Sequence, residues 1–229
     1  MLTLRSALAE FLASEAAHHL GIPTQRALSV AFSPDRVKRA QAESAGLVLR
    51  VAPTFVRFGS FELFHHRGQA HRVRQLADYL LDFHFPSLAS SAPSSSSGSS
   101  KRYKLLLGEI ALKTARMIAA WQASGFVHGV MNTDNMSVLG LTLDFGPSKL
   151  MDRYNPSLVA FHEDKDRRYQ FQNQPMVGLW NLNKLALCFS SLIDEEAIVS
   201  CLEQYEPTLL MELSRLTRKV RRPSKILAG

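Results

Sequence analysis

Cysteine is scarce: Cys188 and Cys201 are the two in 229 residues. Their separation fits no metal-binding spacing, which excludes a zinc ribbon or a disulfide framework. They are expected as reduced core residues in a reducing compartment. No apolar run approaches the roughly 18 residues a membrane span needs, so no membrane partner is expected. Acidic residues are the minority, 20 against 27 Lys and Arg, for a net charge of +7. A basic surface suits an anionic ligand, but it is equally a solvated face. No nucleic-acid motif accompanies it, so no nucleic-acid partner is expected. No internal repeat is present. The N-terminal segment is amphipathic but carries Glu10 and Glu15, which transit peptides avoid. A Gly-rich strand-turn followed by a Lys is missing as well.

What is there suits a globular chain, with 46% hydrophobic and 21% charged residues. Helical spacing over Leu4 to Leu20 puts Leu4, Leu8, Phe11 or Leu12, and Ala16 on one stripe. Glu10 lies roughly opposite, either as a surface acid or as an ion-pair partner across a cleft. Ala27 to Phe32 and Leu47 to Val51 read as strands. Arg50 ends the second, and Arg57 follows among Val51, Phe55, Val56 and Phe58. A lone Arg is ordinarily a solvated charge; one set among apolar residues needs an anion, and phosphate suits its planar fork.

Gln69 to His84 is expected as a helix with Val73, Leu76, Ala77, Leu80 and Leu81 inward. Ser87 to Ser100 is almost all Ser with Ala, Pro and Gly, the composition of a disordered surface insertion. Lys101 to Ser124 is the longest helical pattern, and Gly125 stops it. A polar irregular run follows, through Arg168 to Pro175. Helices are then expected over Leu179 to Leu192 and Ala197 to Arg218, with a solvated basic end from Arg218 to Arg222.

The chain is organised around Phe126 to Gly146. The loop His128-Gly129-Val130-Met131-Asn132-Thr133-Asp134-Asn135 offers one carboxylate and one amide oxygen. A short apolar strand, Val138 to Leu143, then delivers a second carboxylate in Asp144-Phe145-Gly146. Hard oxygen ligands of this kind suit magnesium or manganese carrying a nucleotide phosphate. The competing reading is ordinary Asp and Asn turn chemistry. Protein kinases use the same parts in the same order. The expected fold class is therefore α+β and protein-kinase-like. It divides into an incomplete small lobe with hinge region (1–86), the Ser-rich insertion (87–100) and a mainly helical lobe carrying the loop (101–229).

These motifs resemble the selenoprotein O family, pseudokinase-related protein adenylyltransferases. The resemblance rests on Trp121-Gln122-Ala123, on Gly125 through Ser137, on Leu139 through Pro147, and on Gly178-Leu179-Trp180-Asn181-Leu182. It extends to Glu10-Phe11-Leu12, Gly21-Ile22-Pro23-Thr24 and Arg57-Phe58-Gly59 with Phe61-Glu62. It implies transfer of AMP from ATP to Ser, Thr or Tyr hydroxyls of proteins, with the nucleotide flipped relative to kinases. It also implies that Asp134 accepts the proton, and that Asn135 and Asp144 hold magnesium or manganese. Arg50 and Arg57 would hold the phosphates, and Glu10 would partner a nucleotide-binding Lys. Eukaryotic members are mitochondrial, which sets the expected location.

The chain resembles the central half of such proteins. Their Gly-rich loop and strand Lys would precede Leu4, which suggests a truncated or degenerate copy. Two alternatives stay open. One is a non-catalytic pseudokinase-like binding module, favoured by the missing loop and Lys. The other is a small-molecule kinase, opposed by Val130 where such enzymes carry their base Asp.

Overall fold

A computed structural model describes residues 2–38, 42–90 and 96–220. The chain opens with a short strand, β1 (Leu2–Thr3), and a helix, α1 (Leu4–His19). Thr3 caps α1 by accepting from the Ser6 amide at 3.2 Å. Two long strands follow, β2 (Arg26–Lys38) and β3 (Ala42–Val51). They form an antiparallel sheet in the order β1-β3-β2, with α1 packed against β2 and β3. Both strands run longer than the periodicity predicts, because register shifts at Ala27/Ser29 and Ser33/Arg36 absorb the irregular residues.

The stripe expected on α1 is not the buried one. Leu8 is 45% and Leu12 65% exposed, while Ala7, Glu10, Ser14 and Ala17 are buried. Small side chains let the helix lie close to the sheet, and the buried acid is matched by partners described below.

The remaining elements are mostly helical: α2 (Phe58–His66), α3 (Ala70–His84), α4 (Pro86–Ala89), α5 (Ser96–Ser124), α6 (Gln174–Phe189), α7 (Glu195–Leu202) and α8 (Tyr205–Val220). Helix α5 is the pillar. Its Leu107, Ile110, Ala111, Met117, Ile118 and Trp121 are completely buried, at the spacing of one broad helical face. It packs against α3, α6, α7 and α8.

Several boundaries differ from expectation for local reasons. The Ser-rich stretch is not all insertion: Pro86 starts α4, Leu88 and Ala89 pack on the core, and α5 begins at Ser96. Residues 91–95 of that stretch lie outside the described residues, as do Arg221 and Arg222 of the basic end. Helix α6 begins at Gln174 because Pro175 occupies its first turn. The helix expected from Ala197 to Arg218 is two helices. Pro207 has no N–H, and its ring would collide with the Glu203 carbonyl in a continuous helix, so the chain breaks there. Val138 to Leu143 is not a strand either. Gly140, at φ 64°, turns it, and only isolated bridges join Met136 to Thr142 and Thr24 to Thr142.

Candidate functional site

Helix α5 ends at Gly125, and β4 (Phe126–Val127) leads into the loop that begins at His128. His128 is fully buried, and burial holds its imidazole below the usual range. Its Nε2 lies 2.8 Å from the Leu143 carbonyl. A carbonyl only accepts, so Nε2 carries the proton, and Nδ1 is left to accept from the Val130 amide at 3.4 Å. The ring thus ties the start of the loop to the residue before Asp144.

Helix α6 supports the loop from beneath. The buried Gln174 accepts from the His128 amide at 2.9 Å and donates to the Phe126 carbonyl at 2.9 Å. Asn181 donates to the Met131 carbonyl at 2.9 Å.

Asp144 sits at φ 58°, a left-handed conformation that Asp tolerates better than most residues. Its neighbours hold it there. The Leu143 carbonyl is bound by His128, and the Phe145 amide donates to Glu10 Oε2 at 2.7 Å. The carboxylate meets two guanidinium groups. Arg50 Nη1 pairs with Oδ1, and Arg57 Nη2 lies 3.0 Å from Oδ2. Arg50 also reaches Glu10 Oε1 at 3.5 Å, and Gln25 donates to that oxygen at 2.8 Å.

Glu10, 8% exposed, is therefore not a surface acid; among the described residues its cation is Arg50. Burial raises its pKa above the usual carboxylate value, against the lowering influence of Arg50. Glu10, Arg50, Arg57 and Asp144 make a charge-balanced cluster of two acids and two bases.

The second half of the site rests on α2. The Phe58 amide donates to the Met136 carbonyl at 3.0 Å, and the Val138 amide to the Val56 carbonyl at 3.3 Å. The segment around Arg57 therefore runs beside the loop. Gly59 leaves room for Asp134: a Cβ there would lie 2.0 Å from Asp134 Oδ1. Thr133 donates to Glu62 Oε2, which pins the short 3₁₀ turn Thr133–Asn135. Arg57 touches Asp144 while Gly59, two residues on, touches Asp134, so one three-residue segment contacts both carboxylates.

Asn135 donates its Nδ2 to the Val130 carbonyl at 2.8 Å. That leaves its Oδ1, the hard donor, directed to other use. The Asp144 carboxylate and the Asn135 carboxamide oxygen are hard donors of the kind magnesium or manganese takes, so their chemistry fits such an ion. Among the described residues, no cluster of three or more His, Cys, Asp and Glu side chains forms a self-sufficient metal cage. Further oxygens, from water or a ligand, would complete the coordination.

The six residues singled out by sequence thus fall into two linked groups, Glu10–Arg50–Arg57–Asp144 and Asp134–Asn135. Sequence pattern alone gives no role to the supports His128, Gln174, Asn181, Gln25 and Glu62. Asn181 carried one usable signal, an amide among the apolar residues of an expected helix, which has to find partners; Gln174, in a polar run, carried none.

The sequence model of the family described as Protein adenylyltransferase SelO matches residues 1–220. Among curated proteins, the chain is 50% identical over 207 residues to "Protein nucleotidyltransferase YdiU" of Erwinia tasmaniensis, covering 90% of this chain and 42% of that protein. It is 49% identical over 215 residues to the protein of the same name from Aeromonas hydrophila, and 48% to that of Pectobacterium atrosepticum. In both cases the match covers 94% of this chain and 43% of the relative, so the chain spans less than half the length of these relatives. Matched along nearly all of its length, this chain belongs to the SelO family.

Proposed function

We propose that this chain supplies the catalytic loop, metal ligands and phosphate clamp of a protein adenylyltransferase with a kinase-like fold. The reaction moves AMP from ATP to a Ser, Thr or Tyr hydroxyl. The hydroxyl oxygen forms a bond to the α-phosphorus, the bond from that phosphorus to the bridging oxygen breaks, and pyrophosphate leaves. Asp134, exposed at the end of its loop beside Gly59, takes the hydroxyl proton. Asp144 and Asn135 Oδ1 would hold magnesium or manganese, which supplies charge neutralisation at the phosphates. Arg50 and Arg57 transfer their hydrogen bonds from Asp144 to phosphate oxygens, and that exchange releases the carboxylate for its cation. Phosphoryl and nucleotidyl transfers are mostly positioning and charge stabilisation, so this set can carry most of the work.

The observation behind this reading is the convergence of Arg50 and Arg57 on Asp144. The same ion pairs favour a second reading. A carboxylate already clamped by two guanidinium groups could serve a non-catalytic nucleotide-binding module. Incubation with α-labelled and γ-labelled ATP separates them. Label from the α-phosphate on protein supports adenylyl transfer. Label from the γ-phosphate on a small molecule indicates a kinase, and no label with retained ATP binding indicates the module. The 229 residues alone, which contain no Gly-rich turn followed by Lys, are expected to bind ATP weakly and label slowly. Robust self-labelling would contradict that expectation.

A further inference from the structure

Helix α6 buries Val177, Asn181, Leu185 and Cys188. Its opposite face carries Met176, Trp180, Lys184 and Leu187, at spacings of four, four and three residues. A solvated helix face is normally polar, yet three of these four are large, apolar and exposed. Trp180, 42% exposed, is flanked by two cations: the Arg168 guanidinium lies 4.4 Å from its ring centroid and the Lys184 ammonium 5.2 Å. Neither cation has a carboxylate within 4.0 Å among the described residues. Asp164, four residues before Arg168, instead accepts from the Arg168 and Tyr169 amides at 2.9 and 2.8 Å. Holding two like charges over one ring costs electrostatic energy that an incoming anion would relieve.

The stripe continues into a groove of about 490 Å³ between α6 and α7, with Leu187, Ile198 and Leu202 on its walls. Asp194 and Glu195 line the same groove. Their charge disfavours a continuous polyanion such as a nucleic acid. It suits a segment with apolar residues in the groove and carboxylates only at the Trp180 end.

We infer that the outer face of α6, with Arg168, Trp180 and Lys184, docks a partner protein through an apolar segment that ends in carboxylates. That this partner is the adenylyl acceptor rests on the function proposed above; the docking itself does not.

The test uses a fluorescein-labelled peptide of four leucines, three glutamates and a terminal serine, with a three-lysine counterpart. Binding is read by anisotropy and by Trp180 emission, without magnesium or nucleotide; Trp121, the other tryptophan, is fully buried. The acidic peptide should bind and the basic one should not. R168Q/K184Q should weaken binding about tenfold with an unchanged melting curve. R67Q/R72Q removes the same charge from exposed sites at the end of α2 and the start of α3 and should leave affinity nearly unchanged. Equal weakening by both double variants would reduce the effect to net charge and overturn the inference. So would no binding of the acidic peptide, or tighter and equally Arg168-dependent binding of a thymidine oligonucleotide. The same peptide is then offered with α-labelled ATP. A peptide that docks but takes no label leaves the surface standing and counts against the proposed reaction.

Discussion

The helical body and the α1–β2–β3 layer hold themselves together by different means. In the body, large side chains are fully buried around α5: Trp121, Leu106, Leu107, Ile110, Met117 and Ile118. In the layer, most buried side chains are small or polar: Ala7, Ser14, Ala17, Ala27 and Ala45, with Glu10 and Gln25. Its larger apolar residues Leu28, Phe32, Leu47 and Leu49 are exposed. The body thus draws its stability from buried apolar volume. Beside the apolar contact of Ala17 and Ile22 with the main core, the layer meets the body through polar contacts, with Thr142 binding Pro23 and Thr24, and Glu10 and Arg50 reaching Phe145 and Asp144. That polar junction is the candidate site. A nucleotide that recruits Arg50 therefore acts on the contacts that join the two regions.

Truncation separates the regions most sharply. Trp121→Ala removes a fully buried side chain and the bond from its Nε1 to Thr142 Oγ1 at 2.8 Å. It should cost about 3–5 kcal/mol, a fall in Tm of roughly 6–20 °C. Leu49→Ala, on the exposed face of β3, should stay within about 0.5 kcal/mol. Thermal melts of the two variants check the contrast, and equal losses would break it.

Gly59→Ala tests the seam without touching either core. The added Cβ must push the Asp134 carboxylate aside, but that carboxylate is the tip of an exposed side chain that can rotate. Tm should be nearly unchanged, while any transfer activity falls by about 100-fold through misplacement of the proton acceptor. Unchanged transfer would remove Asp134 from the reaction.

The smallest effect is in pH dependence, and the two acids of α1 should show opposite signs. Burial raises the Glu10 pKa, so its contribution is fully present below 4.5 and is lost as pH rises through its folded value. Hydrogen bonds from Arg26 lower the Glu15 pKa to about 2, so its contribution is present above 4.5 and is lost as pH falls toward 2. Acidification from neutrality to 4.5 should therefore favour the wild type over E10Q. Acidification below 4.5 should disfavour it relative to E15Q. Denaturant titrations across that range measure both slopes, and slopes of the same sign would contradict the assignment.

Much of this was legible in sequence. The spacing of Leu107, Ile110, Ala111 and Trp121 declares a buried helical face, and α5 has it. The loop motif offered Asp134, Asn135 and Asp144 as candidates, because Asp, Asn and Asp-Phe-Gly in fixed order encode a local arrangement. The layer misled because hydrophobic periodicity presumes that apolar residues point inward. On α1 the close approach to the sheet selects Ala and Ser for the interior and leaves Leu8 and Leu12 outside. The environment of Glu10 was illegible for another reason. Its partners Gln25, Arg50 and Phe145 are separated from it by 15, 40 and 135 residues.

The central claim is that Asp144, freed from Arg50 and Arg57, helps hold a metal–nucleotide complex. Calorimetric titration of ATP into wild type and D144A, with and without magnesium, tests it most directly. The account predicts magnesium-dependent binding by the wild type and its loss in D144A, with the fold intact by circular dichroism. Equal magnesium–ATP affinity in the two proteins would contradict it.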